Sequence, residues 1–219
     1  MKTLLLSCIA FLTACGSDVE QSQSKIVIGS NDLKYHIEDD YISQAIGNMK
    51  LGCTVTHIGN GLVITAGHCL NNNSCRGSDY DVTWNHRSNN KFGDFRSSCV
   101  EVVAREFDYG LRDYALLRYE KTPEAYLELN SEDRPKIGDK LTIFSHPKRA
   151  PLSWSGWCKH EGEHSAGDRF EYTCDTKAGS SGAAILNENY EVVGVHNQGM
   201  SYYQVNAGTY VADIPTFKK

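Results

Sequence analysis

The segment Gly179-Ser180-Ser181-Gly182 has the composition that most directly suggests covalent chemistry. A nucleophilic serine needs an exposed hydroxyl, and flanking glycines allow the tight backbone turn that can present one. Such a turn can also direct two backbone N–H groups at one point, where they stabilise an oxyanion. The alternative is an ordinary loop of glycine and serine, so the segment needs a base elsewhere in the chain.

A histidine and an aspartate occupy positions suited to serve that serine. His68 directly follows an apolar run and is one of eight histidines. An imidazole ordinarily titrates near pH 6.5, which suits proton transfer at neutral pH. Asp113 immediately precedes the apolar run Tyr114–Leu117. A carboxylate buried there needs a partner, and His68 Nδ1–H is the natural one. The alternatives are a structural histidine beside a disulfide and a turn aspartate, with Asp108 as a nearby competitor.

The secondary structure around these residues is predicted to consist of β-strands. Long helical periodicity is missing, and short apolar runs are bounded by turn residues. The predicted strands are Leu62–Thr65, Tyr114–Leu117, Lys140–Phe144, Ala183–Leu186 and Glu191–Val195. The turn Asn187–Asn189 makes the last two a hairpin, and the polar stretch 120–139 is typical of a connector. We therefore predict an all-β protein whose two similar halves meet at a cleft, where sites tend to lie.

Length and charge narrow the function classes. The chain has 219 residues, enough for one large or two small all-β domains. Twelve Tyr, nineteen Gly and five Pro suit many short strands joined by tight turns. The net charge is −5 and no stretch is strongly basic, which argues against a nucleic-acid partner. No cofactor is expected.

The N-terminal residues are predicted to direct export from a bacterial cell. Residues 1–15 carry an early lysine and an apolar run too short to span a membrane. The run ends Leu12-Thr13-Ala14-Cys15, which resembles the lipobox of bacterial lipoproteins and implies lipidation of Cys15. The alternative is a plain signal peptide. Gly16 follows in place of the aspartate linked to inner-membrane retention, which favours the outer membrane over the inner one, with a periplasmic location as the alternative. Residues 16–25 form a polar tether or propeptide, and cleavage near Lys25 would release the protein.

Six of the eight cysteines lie beyond this leader, and an even number in an exported chain predicts three disulfides. Fifteen pairings are formally open for six cysteines. A zinc site built from Cys158, His160, His164 and Cys174 is the alternative. Its spacing fits no standard zinc finger, and an exported protein meets an oxidising compartment.

Three motifs together resemble those of the chymotrypsin-like serine proteases. Thr65-Ala66-Gly67-His68-Cys69, Asp113–Leu117 and Gly179–Gly182 occur in that family's order of His, Asp and Ser. The resemblance covers nearly all of the mature chain. It implies two packed six-stranded barrels, 26–122 with His68 and Asp113, and 123–219 with the interbarrel connector and Ser181. It further implies Ser181 as nucleophile, His68 as general acid–base and Asp113 as its orienting partner, acting on protein or peptide substrates.

The same resemblance implies the supporting features of such a site. The N–H groups of Gly179 and Ser181 would form the oxyanion hole. Cys53–Cys69 would brace the histidine loop, and Cys158–Cys174 would brace the approach to the nucleophile. Cys75 and Cys99 then remain as the third pair.

Within that family, the chain is most similar to the bacterial glutamyl endopeptidases. Val27–Leu33 is similar to the start of their mature chains, although Leu33 stands where they have arginine. Gly194-Val195-His196 matches their hairpin after the nucleophile, and Thr176 holds the position of their substrate-reading threonine. The resemblance implies that His196 and Thr176 recognise a substrate glutamate. Ser180 replaces the aspartate that pairs with the freed N-terminus of trypsin-like zymogens.

Asp175 argues for a different specificity. It lies six residues before Ser181, where trypsin has the aspartate that selects Lys or Arg. A carboxylate facing the pocket would repel glutamate, whereas one facing away would leave His196 and Thr176 to decide. Two other hypotheses stay open. An esterase would use the same triad chemistry, although hydrolase-type esterases keep the order Ser, Asp, His. A non-catalytic binding module on a protease fold usually lacks a triad residue.

Overall fold

The computed structural model describes residues 26–108, 112–164 and 168–218. The predicted signal peptide, the lipidation of Cys15 and the tether 16–25 lie outside the described residues. The described chain has one α-helix and fourteen strands. In chain order they are β1 (Lys34–Tyr35), α1 (Tyr41–Ala45), β2 (Ile46–Met49), β3 (Thr54–His57), β4 (Leu62–Thr65), β5 (Val82–Trp84), β6 (Phe95–Ser97), β7 (Cys99–Phe107), β8 (Asp113–Tyr119), β9 (Lys140–Ser145), β10 (Ser153–Glu163), β11 (Arg169–Tyr172), β12 (Ala184–Leu186), β13 (Val192–Met200) and β14 (Val205–Tyr210). Short 3₁₀ helices lie at Gly67–Cys69, Ser78–Tyr80, Pro147–Arg149, Val211–Asp213 and Pro215–Phe217.

The strands form two antiparallel sheets. The second sheet has the order β1-β10-β11-β14-β13-β12-β9, and a further pairing of β10 with β9 closes its six main strands into a barrel. The first sheet has the order β6-β5-β2-β3-β4-β8-β7 and curls over its own core. The predicted all-β, two-barrel, chymotrypsin-like architecture is confirmed, although the first sheet has seven strands and, in the part of the chain that is described, no pairing that closes it.

Local sequence explains where the strands of the site begin and end. The run Leu62–Thr65 forms β4, which pairs with β8 so that Thr65 lies opposite Ala115. The hairpin of β12 and β13 is organised by Asn187, whose side-chain oxygen accepts from the N–H groups of Asn189 and Glu191 at 3.0 Å each. Such side-chain acceptance is why asparagine favours turns. The connector 120–139 fills the interval between β8 and β9.

Two apolar cores fix the barrels. The closed barrel is filled by aromatic and aliphatic side chains, among which Phe170 and Tyr210 stack with ring centroids 4.3 Å apart. The other core is centred on Trp84 in the first sheet. It continues through Leu186 and Val192 of the second sheet, so the two barrels share one packed interface. Through this shared core the two barrels pack directly against each other.

The N-terminal segment pairs with the second barrel rather than with the first. Sequence reasoning places it within the unit 26–122, but Lys34 pairs with Trp154 and Tyr35 with Ser153 at the edge of the second sheet. Ile26 also forms an antiparallel bridge with Thr176. The physical reason is a set of acceptors on the second barrel that the segment's own N–H groups satisfy. The division of the remaining chain at 122/123 stays a prediction.

Three disulfides join the predicted partners: Cys53–Cys69, Cys75–Cys99 and Cys158–Cys174. Because Cys158 and Cys174 are bonded to each other, neither offers the thiolate that a zinc site requires. His160 donates or accepts a hydrogen bond at 2.9 Å with the Tyr210 hydroxyl. Three disulfides indicate an extracytoplasmic, oxidising environment. Among the described residues, no helix is long and apolar enough to cross a membrane.

Candidate active site

His68 and Asp113 are joined by two hydrogen bonds. His68 Nδ1 lies 2.7 Å from Asp113 Oδ2, and the His68 backbone N–H donates to Asp113 Oδ1 at 2.9 Å. Asp113 is buried, whereas the His68 side chain is about one-third exposed. A carboxylate only accepts, so Nδ1 carries the proton and Nε2 has its lone pair directed away from the aspartate. This is the tautomer that a general base needs.

The loop that carries His68 is fitted closely to strands β7 and β8. A Cβ atom on Gly67 would lie 2.1 Å from the Glu106 carbonyl oxygen, so no larger residue fits there without a backbone shift. Arg105 clamps the same loop, donating to the carbonyls of Gly67 at 2.8 Å and Leu70 at 2.9 Å. Sequence reasoning missed Arg105, because nothing about a charged residue on an outer strand indicates a role in this loop.

Side chains of the second barrel hold the backbone of Asp113. Asn197 Nδ2 donates to the Asp113 carbonyl at 2.7 Å, and the Asp113 N–H donates to Thr209 Oγ1 at 3.0 Å. Thr209 Oγ1 in turn donates to Asn197 Oδ1 at 2.8 Å. Asn197 and Thr209 lie on β13 and β14, so the orienting aspartate is fixed by both barrels. Both residues went unpredicted because their roles depend on a contact between distant parts of the chain.

The two serines of the glycine-flanked turn have different surroundings. Ser180 is fully buried, and its hydroxyl bonds to Ser145 Oγ at 2.9 Å. Ser181 is partly exposed, and its carbonyl accepts from the Thr54 N–H at 2.9 Å. A Cβ on Gly182 would lie 2.0 Å from Thr65 Oγ1, so the turn is tightly packed against β3 and β4, which lead to His68.

The structure therefore brings the serine turn to the histidine loop, although no hydrogen bond joins His68 Nε2 to Ser181 Oγ. Such bonds are often long without substrate and tighten in the complex. The disulfide Cys53–Cys69 links the residue before Thr54 to the residue after His68. Together with the hydrogen bond from the Thr54 N–H to the Ser181 carbonyl, the disulfide connects the loops of the two predicted catalytic residues.

The predicted oxyanion hole has a closely fitted backbone that requires glycine at position 179. Gly179 has φ +98, and a Cβ there would lie 2.6 Å from the His146 carbonyl oxygen. Thr54 Oγ1 donates to the Gly179 carbonyl at 2.9 Å and accepts from the His146 N–H at 2.9 Å. In the part of the chain that is described, the N–H groups of Gly179 and Ser181 have no protein acceptor. Both N–H groups are thus unbonded to protein, as the predicted oxyanion hole requires.

The predicted specificity residues are buried and neutral. Thr176 Oγ1 donates to Asn206 Oδ1 at 2.8 Å, a partner that sequence reasoning missed. His196 Nδ1 lies 2.5 Å from the Tyr172 hydroxyl. Burial, with a smaller effect of the nearby His68 imidazole, lowers the pKa of His196 to about 3. His196 is therefore uncharged at neutral pH and offers a hydrogen bond rather than a cation.

Asp175 is buried beside them, but its carboxylate is already occupied. Oδ1 accepts from the Ile28 N–H at 2.7 Å, and Oδ2 accepts from the Asp32 N–H at 2.6 Å. Both donors belong to the backbone of the N-terminal segment. The side chains of Asp175 and Thr176, although adjacent in sequence, thus bond to different partners.

Comparison with known proteins agrees with this geometry. The model of the trypsin-like peptidase domain family matches residues 52–195, and the chain belongs to that family. A solved structure of a Glu endopeptidase in complex with MPD superposes with a TM-score of 0.70 and 23% sequence identity, covering 86% of this chain and 94% of that one. The VesB protease of Vibrio cholerae superposes with a TM-score of 0.65 and 15% identity, covering 83% of this chain and 64% of that one. At these identities the likeness shows the fold. No curated protein sequence matches significantly.

Proposed function

We propose that the protein is a serine endopeptidase that forms an acyl-enzyme on Ser181. His68 Nε2 takes the hydroxyl proton as Ser181 Oγ attacks the substrate carbonyl, and Asp113 stabilises the resulting imidazolium. The N–H groups of Gly179 and Ser181 bind the oxyanion. His68 then protonates the leaving amine and activates the water that hydrolyses the acyl-enzyme. The observation that carries the proposal is the 2.7 Å bond of His68 Nδ1 to a buried Asp113, beside a serine turn anchored to β3.

Labelling with a fluorophosphonate tests this assignment. We expect wild-type protein to label at Ser181, and Ser181→Ala and His68→Ala each to lower kcat on a peptide substrate by several orders of magnitude. Ser180→Ala is the matched control, because its hydroxyl is buried against Ser145. Activity lost in Ser180→Ala and kept in Ser181→Ala would contradict the nucleophile assignment. An unlabelled, inactive wild type would favour the binding module, and hydrolysis of esters without peptides would favour an esterase.

We further propose cleavage after glutamate. The alternative, selection of Lys or Arg by Asp175, requires a carboxylate that faces the substrate, yet both Asp175 oxygens accept backbone N–H groups. Thr176 and His196 are left as the polar groups at the position where the family reads its substrate. The Glu endopeptidase among the similar structures supports the same specificity.

A cleavage profile on a peptide library tests the specificity. We expect cuts after Glu, and lower turnover in His196→Gln and Thr176→Val with Glu substrates. Cuts after Arg or Lys that disappear in Asp175→Asn would assign the pocket to Asp175 instead.

The N-terminal residues suggest how the protein is exported and activated. We propose that the signal 1–15 exports the chain, that Cys15 is lipidated, and that cleavage after Lys25 releases the enzyme with a free α-amine at Ile26. Because Thr176 and His196 are neutral, a substrate carboxylate lacks a positive partner in this part of the pocket. Ile26 N lies 3.3 Å from the Thr176 carbonyl, so an amine there would stand beside the pocket.

Two proteins separate activation from simple tethering. One starts at Ile26, and the other retains residues 16–25 behind Lys25→Ala. We expect higher kcat/KM on a glutamyl substrate for the first. Equal values would contradict activation, and fractionation of cells expressing Cys15→Ala tests the lipid anchor separately.

A further inference from the structure

Asp175 is a buried carboxylate whose partners come from the far end of the sequence. Its two oxygens accept from Ile28 N and Asp32 N, 147 and 143 residues away. Hydrogen bonds to a charged acceptor are roughly twice as strong as neutral ones. A carboxylate that is 3% exposed and has lost these donors would be costly to keep buried. The aspartate and the segment therefore stabilise each other.

The same segment also bonds to the backbone of Thr176, one of the predicted specificity residues. Ile26 N donates to the Thr176 carbonyl, and Thr176 N donates to the Ile26 carbonyl at 2.9 Å. The Ile26 side chain is buried, and a Cβ on Gly199 would lie 2.7 Å from its Cγ1. That Cβ would also lie 3.0 Å from Asn206 Oδ1, the atom that holds the Thr176 hydroxyl. Residues 26–32 thus form a wall behind Thr176 and Asn206.

We propose that Asp175 is a positioning residue, which fastens residues 26–32 to the second barrel and so shapes the specificity pocket without touching the substrate. The inference rests on the proposed function for the identity of the pocket, but the fastening itself concerns only this chain. It assigns to Asp175 a role opposite to that of a substrate-selecting aspartate. Removing its charge should loosen the wall and weaken binding of the substrate side chain, while the triad stays intact.

Two variants of the full chain test the proposal: Asp175→Ala removes both acceptors, and Asp175→Asn keeps the shape but turns an amide NH₂ toward one donor. Asp32→Ala is the matched control, because it removes an exposed carboxylate from the same segment and keeps the backbone N–H. We expect both Asp175 variants to lower kcat/KM on a glutamyl substrate at least about tenfold, mainly through KM. Asp32→Ala should change it less than about threefold.

A second readout reports the wall directly. Amide hydrogen exchange should become faster at both Ile28 and Asp32 in Asp175→Ala, and at the one that faces the amide NH₂ in Asp175→Asn, because these N–H groups lose their acceptor. The rate of labelling by a small fluorophosphonate should change less than about threefold, because the triad lies outside the wall. Ile26→Ala combined with Asp175→Ala should cost less than the sum of the single effects if both act through the segment.

Several outcomes would overturn the inference. Unchanged exchange at Ile28 and Asp32 would show that Asp175 does not fasten the wall, and unchanged kcat/KM in both Asp175 variants would show that the wall does not shape the pocket. Loss of cleavage after Arg or Lys in Asp175→Asn, with exchange unchanged, would make Asp175 a substrate contact. If wild-type protein fails to label with the fluorophosphonate, the proposed function is wrong, but the exchange measurement still decides the fastening. If Asp175→Ala does not fold, Asp175→Asn decides it.

Discussion

Replacing Thr54 with valine should damage both the stability and the chemistry of the protein. Thr54 is fully buried on β3, where its hydroxyl donates to the Gly179 carbonyl and accepts from the His146 N–H. Valine has nearly the same shape, but it leaves these two backbone groups without their partner. The change therefore isolates the hydrogen bonds from the packing.

The structure sets the size of the effect. A buried group that loses its partner costs about 1–3 kcal/mol, so two such groups predict a loss of about 2–6 kcal/mol in the free energy of unfolding. Urea denaturation followed by tryptophan fluorescence measures it. Because Gly179 supplies a predicted oxyanion donor, kcat should also fall at least about tenfold, with KM less affected.

Thr56 provides the matched control on the same strand. It is also fully buried, but its hydroxyl has no hydrogen-bond partner among the described residues. Thr56→Val should therefore be neutral or stabilising, because it removes an unsatisfied polar group. Equal losses in the two variants, or a loss below about 0.5 kcal/mol in Thr54→Val, would contradict this prediction.

Three further predictions concern stability and pH. Burial lowers the pKa of both His146 and His196 to about 3, below the ordinary value of 6.5. Their contribution to stability is therefore complete above about pH 6.5 and is lost as the pH falls toward 3, by about 1 kcal/mol per pH unit for each histidine. Urea denaturation between pH 7.5 and 4.5 measures this, and a flat profile would contradict it. Replacing Cys75 and Cys99 together by alanine should cost about 3 kcal/mol, because the disulfide closes a loop of 24 residues; calorimetry of the variant checks it, and an unchanged Tm would contradict it. In protein that starts at Ile26, preference for Glu over Gln substrates should weaken above about pH 8, as the α-amine loses its proton, whereas a pH-independent ratio of kcat/KM would exclude the amine.

Much of the fold was predictable because its signals are local. The run Leu62–Thr65 is a strand with the predicted bounds, since a short apolar run between turn residues has few other ways to be buried. The hairpin after the serine turn followed from Asn187 and its neighbours. The order of His, Asp and Ser in the sequence predicted a contact between His68 and Asp113, and the structure has this contact. Residue type and order were sufficient for these features.

What could not be predicted depends on contacts between distant residues. The orientation of Asp175 is decided by backbone N–H groups of residues 28 and 32, and backbone donors leave no mark in the sequence. Arg105 and Asn197 resemble ordinary surface polar residues until the barrels are assembled around them. Thr54 lies in an alternating strand like Thr56, and only the structure distinguishes the bonded hydroxyl from the unbonded one.

The path of the N-terminal segment has a consequence for the order in which the protein matures. Ile26 is synthesised early, but its bridge partner on the second barrel, Thr176, is synthesised much later. The Ile28 N–H likewise lacks its acceptor until Asp175, 147 residues later in the chain, has been synthesised. Closing so long a loop is entropically costly and slow compared with forming neighbouring hairpins. Residues 26–32 therefore lack these partners in any chain that ends before Asp175. In a nascent chain the N-terminal segment thus stays without these partners until most of the chain has been synthesised.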